Sequence, residues 1–298
     1  MKKIFWLCVA IAFILGGCAI FSVAMSKLGW DFTKLSTIKQ VTNEYEVCES
    51  YRDISITAID ADVTLIPSQN GETRVVCLED EKVQHSVSVK DGVLVIEAID
   101  NRDWYNHIGF NFKKAEISVY VPAGTYGDLS IDTDTGDVEI SGDFEFLHID
   151  VSGSTSDVTN RATATESVKI EVSTGDVLVE NISTGWLEIS VSTGDTKIKN
   201  VSCDTFVTKG STGDLDMANV LVSGKMSVNR STGDVEFFGC DASEISIETD
   251  TGNVSGSLLT SKIFVTDTST GKIDVPKSTT GGLCEITTST GDIHITVD

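Results

Sequence analysis

The sequence predicts an all-β protein, a single-chain β-solenoid (β-helix-like) of about nine 19–20-residue coils, with an N-terminal β cap and one N-terminal transmembrane helix. Three observations carry this reading. A Ser-Thr-Gly-Asp turn recurs at a fixed period from residue 128 onward. The composition, 40% hydrophobic with 25 glycines and only 3 prolines, suits a core of short strands and tight turns better than helices. A long uncharged apolar run stands near the start of the chain.

Residues 1–3, Met1-Lys2-Lys3, form a short basic head read as cytoplasmic. Ile4 to Met25 then runs 22 residues without a charge. At about 1.5 Å per residue this spans roughly 33 Å, enough for a bilayer core of about 30 Å. Residues 4–25 are therefore read as a single-pass membrane anchor, longer than the usual apolar stretch of a signal peptide. The basic head places the N-terminus inside and the C-terminal domain on the extracellular side. Two other fates stay open: cleavage near Ser22-Val23-Ala24, and lipidation at Cys18 after Leu15-Gly16-Gly17. Ala19 to Met25 stays apolar where a lipid-tethered chain is expected to turn polar. Trp30 and Phe32 follow as interfacial aromatics, and residues 26–44 read as a juxtamembrane stalk.

Residues 45–127 read as the β cap and a degenerate first coil. Ile54, Ile56, Val63 and Leu65 fit the solenoid columns around Ala61-Asp62, after which the register is lost. His85 to Lys90, Asp91-Gly92 and Val93 to Ala98 spell a hairpin with an Asp-Gly turn. Ile117, Val119 and Val121 form another strand before Pro122. Such a segment covers the first open edge of a solenoid.

Residues 128–298 carry the repeat. The turn glycine falls at Gly136, Gly175, Gly194, Gly213, Gly233, Gly252, Gly271 and Gly291, with Ser156 in the missing slot. Successive spacings are 20, 19, 19, 19, 20, 19, 19 and 20 residues. Apolar columns lie seven and five residues before the glycine, as in Leu129/Ile131 and Leu187/Ile189, and two after it, as in Val138 and Leu215. Residues two apart share a face of a strand, so each coil holds two half-buried strands joined where the parity shifts. Cys284 falls in an inward column and reads as a small buried residue. Coils stacked about 4.8 Å apart pair their strands and share one core, giving a rod of roughly 40 Å.

The basic-apolar head, the Gly29-Trp30-Asp31-Phe32 segment and the repeated Ser-Thr-Gly-Asp-Val turns resemble the putative-adhesin family of bacterial envelope β-strand-repeat proteins, a domain of unknown function. The resemblance covers roughly residues 30–298. It implies a surface location in a bacterial, largely Gram-positive, envelope and a link to envelope-stress membrane proteins. It brings no catalytic residues with it.

Candidate chemistry is sparse. Asp134-Thr135-Gly136 and Asp250-Thr251-Gly252 match the aspartic-protease triplet, but the same slot holds serine in the other copies (Ser154, Ser173, Ser192, Ser211, Ser231, Ser269, Ser289). Six coils apart, the two carboxylates stand roughly 29 Å from each other, too far for a dyad. The threonine column one before glycine (Thr135, Thr155, Thr174, Thr193, Thr212, Thr232, Thr251, Thr270, Thr290) shares the inward parity. It reads as a buried ladder whose hydroxyls satisfy the turn backbone, not as a water-ordering face. The aspartate column one after glycine (Asp137, Asp157, Asp176, Asp195, Asp214, Asp234, Asp292) is broken by Asn253 and Lys272. Aspartate suits such turns by bonding local backbone; hard cations such as Ca²⁺ are the competing reading.

The cysteines at 8, 18, 48, 77, 203, 240 and 284 show no CxxC spacing, hence neither a disulfide framework nor a zinc site. Cys203 and Cys240 lie close to two coils apart, about 9–10 Å, beyond disulfide reach. His85, His107, His148 and His294 are scattered and read as surface or satisfied side chains. Asn181, Asn200, Asn229 and Asn253 open Asn-x-Ser triplets that read as turn markers. A polysaccharide-acting solenoid places carboxylates and stacking aromatics on one groove, and tryptophan is limited to Trp6, Trp30, Trp104 and Trp186.

The expected site inventory is therefore empty: no catalytic residues, cofactor or metal. The expected function is a non-catalytic, membrane-anchored surface scaffold or adhesin. The alternative is an envelope-stress accessory acting through membrane-protein partners. A net charge of −23 argues against nucleic acid and against anionic headgroups, leaving a surface protein or polymer as partner. The copy from Thr290 to Asp298 reads as an uncovered terminal coil. Either charge at Asp292, His294 and Asp298 protects that edge, or it templates a partner strand or a second copy edge to edge.

Overall fold

The computed structural model describes residues 2–30, 39–100 and 114–298; Asp31, Phe32, Trp104 and His107 lie outside them. The apolar run forms one helix, α1 (Lys2–Lys27), with 19 residues (Val9–Lys27) apolar and long enough to cross a membrane. Most of its described side chains are exposed, Phe13 and Leu15 among them, while Met25 near its end is buried. The helix ends in a Schellman motif. The Trp30 N–H bonds Met25 O at 2.9 Å and the Gly29 N–H bonds Ser26 O at 3.2 Å, with Gly29 at φ 69°.

The cap comprises β1 (Gln40–Val47), β2 (Asp53–Ala58), β3 (Ala61–Pro67), β4 (Thr73–Asp80), β5 (Val83–Lys90), β6 (Val93–Asp100) and β7 (Ala115–Val121). Strand β1 starts at Gln40, so the cap takes in the last residues assigned above to the stalk. β5 and β6 form the expected hairpin, closed by Asp91 and Gly92 with φ of 51° and 81°, the left-handed pair of a type I′ turn. β2 and β3 are the degenerate first coil, lying in parallel register on Leu129–Thr133 and Val138–Ile140. β6 and β7 lie parallel on their other sides, and β4 and β1 follow antiparallel.

The solenoid is parallel and in register. One column descends Val63, Val138, Val158, Val177, Thr196, Leu215, Val235 and Val254. Burial alternates along each run, so the apolar columns form one continuous core. At the turn, a Cβ on Gly194 would overlap the carbonyl oxygen of Gly175 one coil away, and φ there is 141°. Only glycine meets both demands.

The threonine column departs from the expected parity. All nine threonines are exposed, as is the neighbouring serine column. The inward position is three before glycine (Thr133, Val172, Val191, Arg230, Thr249), so two successive residues face out before the chain bends. The turn does not need threonine hydroxyls. Gly175 and Gly194 N–H groups donate to the carbonyls of Thr193 and Thr212 at 3.0 and 2.9 Å.

The C-terminal order is also corrected. The strands Gly282–Thr290 and Ile293–Val297 are not at the edge. They pair with Ile245–Thr251 and Val254–Leu258 on one side, and with Lys262–Thr270 and Ile273–Asp274 on the other. The chain skips a layer after Leu258, lays down the outer coil, and returns through residues 275–281 to fill the gap. The outer coil carries the exposed apolar residues Ile263, Val265 and Ile273.

Candidate functional site

The aspartate column forms a hydrogen-bonded chain along the rod. Each side-chain Oδ1 accepts the backbone N–H of the next slot: Asp62 from Asp137, Asp137 from Asp157, Asp157 from Asp176, Asp176 from Asp195, Asp195 from Asp214, all at 2.8–3.1 Å. It continues from Asp214 through Asp234 and Asn253 to Asp292, and ends on the N–H of Lys272. This agrees with the turn reading. Asn253 keeps the acceptor oxygen, and Lys272 sits where the chain of acceptors stops. A second ladder turns the opposite corner: Asn181, Asn200 and Asn219, at φ of 53–60°, pass amide hydrogen bonds of 2.9 Å from one to the next.

One concave feature of the rod is an open groove of about 630 Å³ at the bend where register slips between Cys203 and Phe206 and between Val222 and Lys225. Its floor is a stacked row, Thr184, Cys203, Val222 and Ala242, all buried. One wall is Ser183, Ser202, Leu221 and Asp241 in the same register. Across from them, Asp204 accepts a hydrogen bond from the Ser223 hydroxyl at 2.7 Å, and the Ser243 hydroxyl donates to Ser223 O. Gly224 keeps this bend tight, since a Cβ there would fall 2.7 Å from Asp204 O. Lys262, 4% exposed, lines the far end, paired with Asp241 at 2.5 Å and donating to the Thr260 hydroxyl at 2.7 Å.

The groove thus offers hydroxyls, one free-facing apolar side chain (Leu221, 45% exposed) and two carboxylates already engaged by neighbours. The Cys203 thiol is pushed up to about 12 by burial and by nearby Asp204, so it is protonated at neutral pH and a poor nucleophile. A second, smaller depression of about 440 Å³ holds Lys199, Asp216, Glu236 and the strongly exposed Phe238.

The structure keeps the sequence candidates apart. Asp134 and Asp250 point outward on separate coils. Cys203, Cys240 and Cys284 are buried free thiols. His148 meets Ser167 Oγ at 2.8 Å and exposed His294 faces Asp274 at 3.2 Å, but His85 is buried and not a surface residue. The sequence reading missed the groove. Its signal was the run of Ser, Thr, Cys and Ala beside Gly185 and Gly224, small residues where the apolar columns pause.

Solved structures of bacterial proteins share this fold. A protein described as a putative adhesin from Parabacteroides distasonis ATCC 8503 matches with TM-score 0.52 at 15% identity, covering 87% of this chain and 98% of its own. A putative adhesin from Parabacteroides merdae ATCC 43184 matches with TM-score 0.51 at 12% identity, over 87% and 97% of the two chains. A putative lipid binding protein from the same P. distasonis strain gives TM-score 0.55 at 14% identity, over 87% and 98%. No curated protein matches the sequence. The recurrent turn, the parallel stack and the capped first coil agree with a family match spanning residues 51–296, and the chain belongs to the Toastrack DUF4097 family.

Proposed function

We propose that this chain is a non-catalytic surface scaffold of adhesin type, held at the cell membrane by α1 and presenting its solenoid outward to a protein or polymer. The observation that supports it best is the groove from Ser183 to Lys262, an open, hydroxyl-rich surface on a rigid stack, whose carboxylates are occupied by structural partners. Exposed Leu221 at its middle gives an apolar contact of the kind that anchors a polar interface. The test is binding of cells displaying the full chain to a panel of envelope polysaccharides and surface proteins, with Leu221→Arg as the groove-blocking variant. Binding that falls at least tenfold in the variant supports the reading. Binding unaffected by Leu221→Arg removes the groove from it. Crosslinking that recovers only integral membrane proteins of the same cell favours the envelope-stress role.

A further inference from the structure

The cap encloses a cluster unlike anything else among the described residues. Cys77 and Glu79 are two apart on β4, so both side chains leave the same face. The short turn into β5 brings His85 back onto that face, and its ring Nδ1 lies 2.7 Å from Glu79 Oε2. One ligand-type atom from each residue, a sulfur, a carboxylate oxygen and a ring nitrogen, falls within 4.8 Å of the others. All three are sealed from solvent, at 0%, 1% and 3% exposure.

Two features set the cluster apart from an ordinary buried hydrogen-bonded pair. First, His85 Nε2 is buried without a hydrogen-bond partner, an arrangement that normally costs stability. Second, the carboxylate is held rather than merely tolerated. Glu79 Oε1 accepts from Asn43 Nδ2 at 2.6 Å, and Oε2 accepts the His85 backbone N–H at 2.8 Å. The Tyr45 hydroxyl fixes the same strand by donating to His85 O at 2.8 Å. A ligand-orienting outer shell has this form.

We propose that Cys77, Glu79 and His85 form a binding site for one divalent transition-metal ion of the zinc class, closing the cap of the solenoid. The donor set of one thiolate, one imidazole and one carboxylate matches zinc, and excludes calcium and magnesium, which take all-oxygen shells. A tetrahedral zinc ion keeps its ligand atoms roughly 3.3–3.7 Å apart at ordinary bond lengths. The three ligand-type atoms lie within 4.8 Å of one another, and His85 Nδ1 and Glu79 Oε2, at 2.7 Å, would part by about 0.6 Å or more to reach that spacing. Cys77, Glu79 and His85 come from adjoining strands of the cap, so the ion would tie β4 to β5 and stabilise the layer that covers the first coil.

The test uses the full chain in detergent, refolded with either zinc sulfate or EDTA so that burial cannot block loading, then dialysed. The expected result is about one equivalent of zinc retained, with a raised melting temperature in the zinc sample. Cys77→Ser and His85→Gln lose the retained zinc and the zinc-dependent part of the melting temperature, while Cys48→Ser, which removes an exposed thiol of the same region, keeps both. Refolding with Co²⁺ gives a thiolate-to-metal absorption band that disappears in Cys77→Ser. The proposal is overturned if the wild-type chain retains no zinc, or if Cys77→Ser and His85→Gln retain as much as the parent. A variant that fails to fold is replaced by His85→Asn, read by the same cobalt band against the parent.

Discussion

Ser156 occupies the space that a side chain on Gly153 would need: a Cβ at Gly153 would lie 2.9 Å from Ser156 Cβ and 3.0 Å from its Oγ. Ser156 fills the slot that glycine holds in most other coils, and its side chain turns into the core. The inward residue three before it is therefore reduced to glycine, where the next two coils carry Val172 and Val191. The substitution at one position is explained by the other.

Gly153→Val alone should destabilise by about 1–3 kcal/mol through overpacking. The double variant Gly153→Val/Ser156→Gly copies the Val172/Gly175 arrangement and should recover that loss. Urea unfolding of the four corners of this cycle measures the coupling. Additive effects would show that the two residues are independent.

Asp195→Ala deletes the acceptor for the Asp214 N–H in the middle of the carboxylate ladder, and should cost about 1–2 kcal/mol. Asp195→Asn keeps an acceptor oxygen, as Asn253 does naturally for Asp292 at 2.9 Å. It should be near neutral. Thermal melts of the two variants separate hydrogen bonding from charge, since a cation-holding role would make Asn as damaging as Ala.

Arg230 is 1% exposed and all three guanidinium nitrogens lack a protein partner. Its side chain takes the space over Gly210, where a Cβ would collide with it. Burial lowers its pKa, against the pull of Asp195 and Asp214. Arg230→Met, which fills a similar volume without the charge, should raise stability by about 1–4 kcal/mol. A lower melting temperature would show that the guanidinium is compensated in solution.

Burial pushes the Cys203 and Cys284 thiols up to about 12 from an ordinary 9.0. The folded state therefore holds these protons when the unfolded state has lost them. Their contribution is complete below about pH 9 and is lost as pH rises toward 12. Iodoacetamide at pH 8 should label exposed Cys48 and spare Cys203 and Cys284 until denaturant is added. Mass spectrometry of the labelled peptides checks this.

The coil was legible in the sequence because stacking forces identical demands on every copy: the columns through Leu187, Ile189 and Leu215 are buried in every coil but the outermost, where Ile273 is exposed. Two things were not legible. Parity counting assumes one reversal at the glycine, but Ser192 and Thr193 both face outward before it, and the bond made there by the Thr193 carbonyl, to the Gly175 N–H, does not depend on the threonine side chain. Layer order was hidden for a related reason, because a column reads the same whichever neighbour each copy meets. Lys272 was the available clue. An aspartate is needed only where another coil lies beyond, and Lys272 ends the ladder. The cluster at Cys77, Glu79 and His85 escaped notice because its spacing belongs to a hairpin, not to any linear zinc motif.

The tucked position of residues 282–297 bears on how the rod comes apart. A solenoid wound in simple order unravels from its tip, one layer at a time, each departure breaking a single set of strand contacts. Here the strand Gly282–Thr290 lies between Ile245–Thr251 and Lys262–Thr270. Pulling it free means shearing two interfaces together, while the outer layer stays tied to it through residues 275–281. The distal end behaves as a locked stitch, resisting tension on the chain end in a way that a freely fraying edge would not.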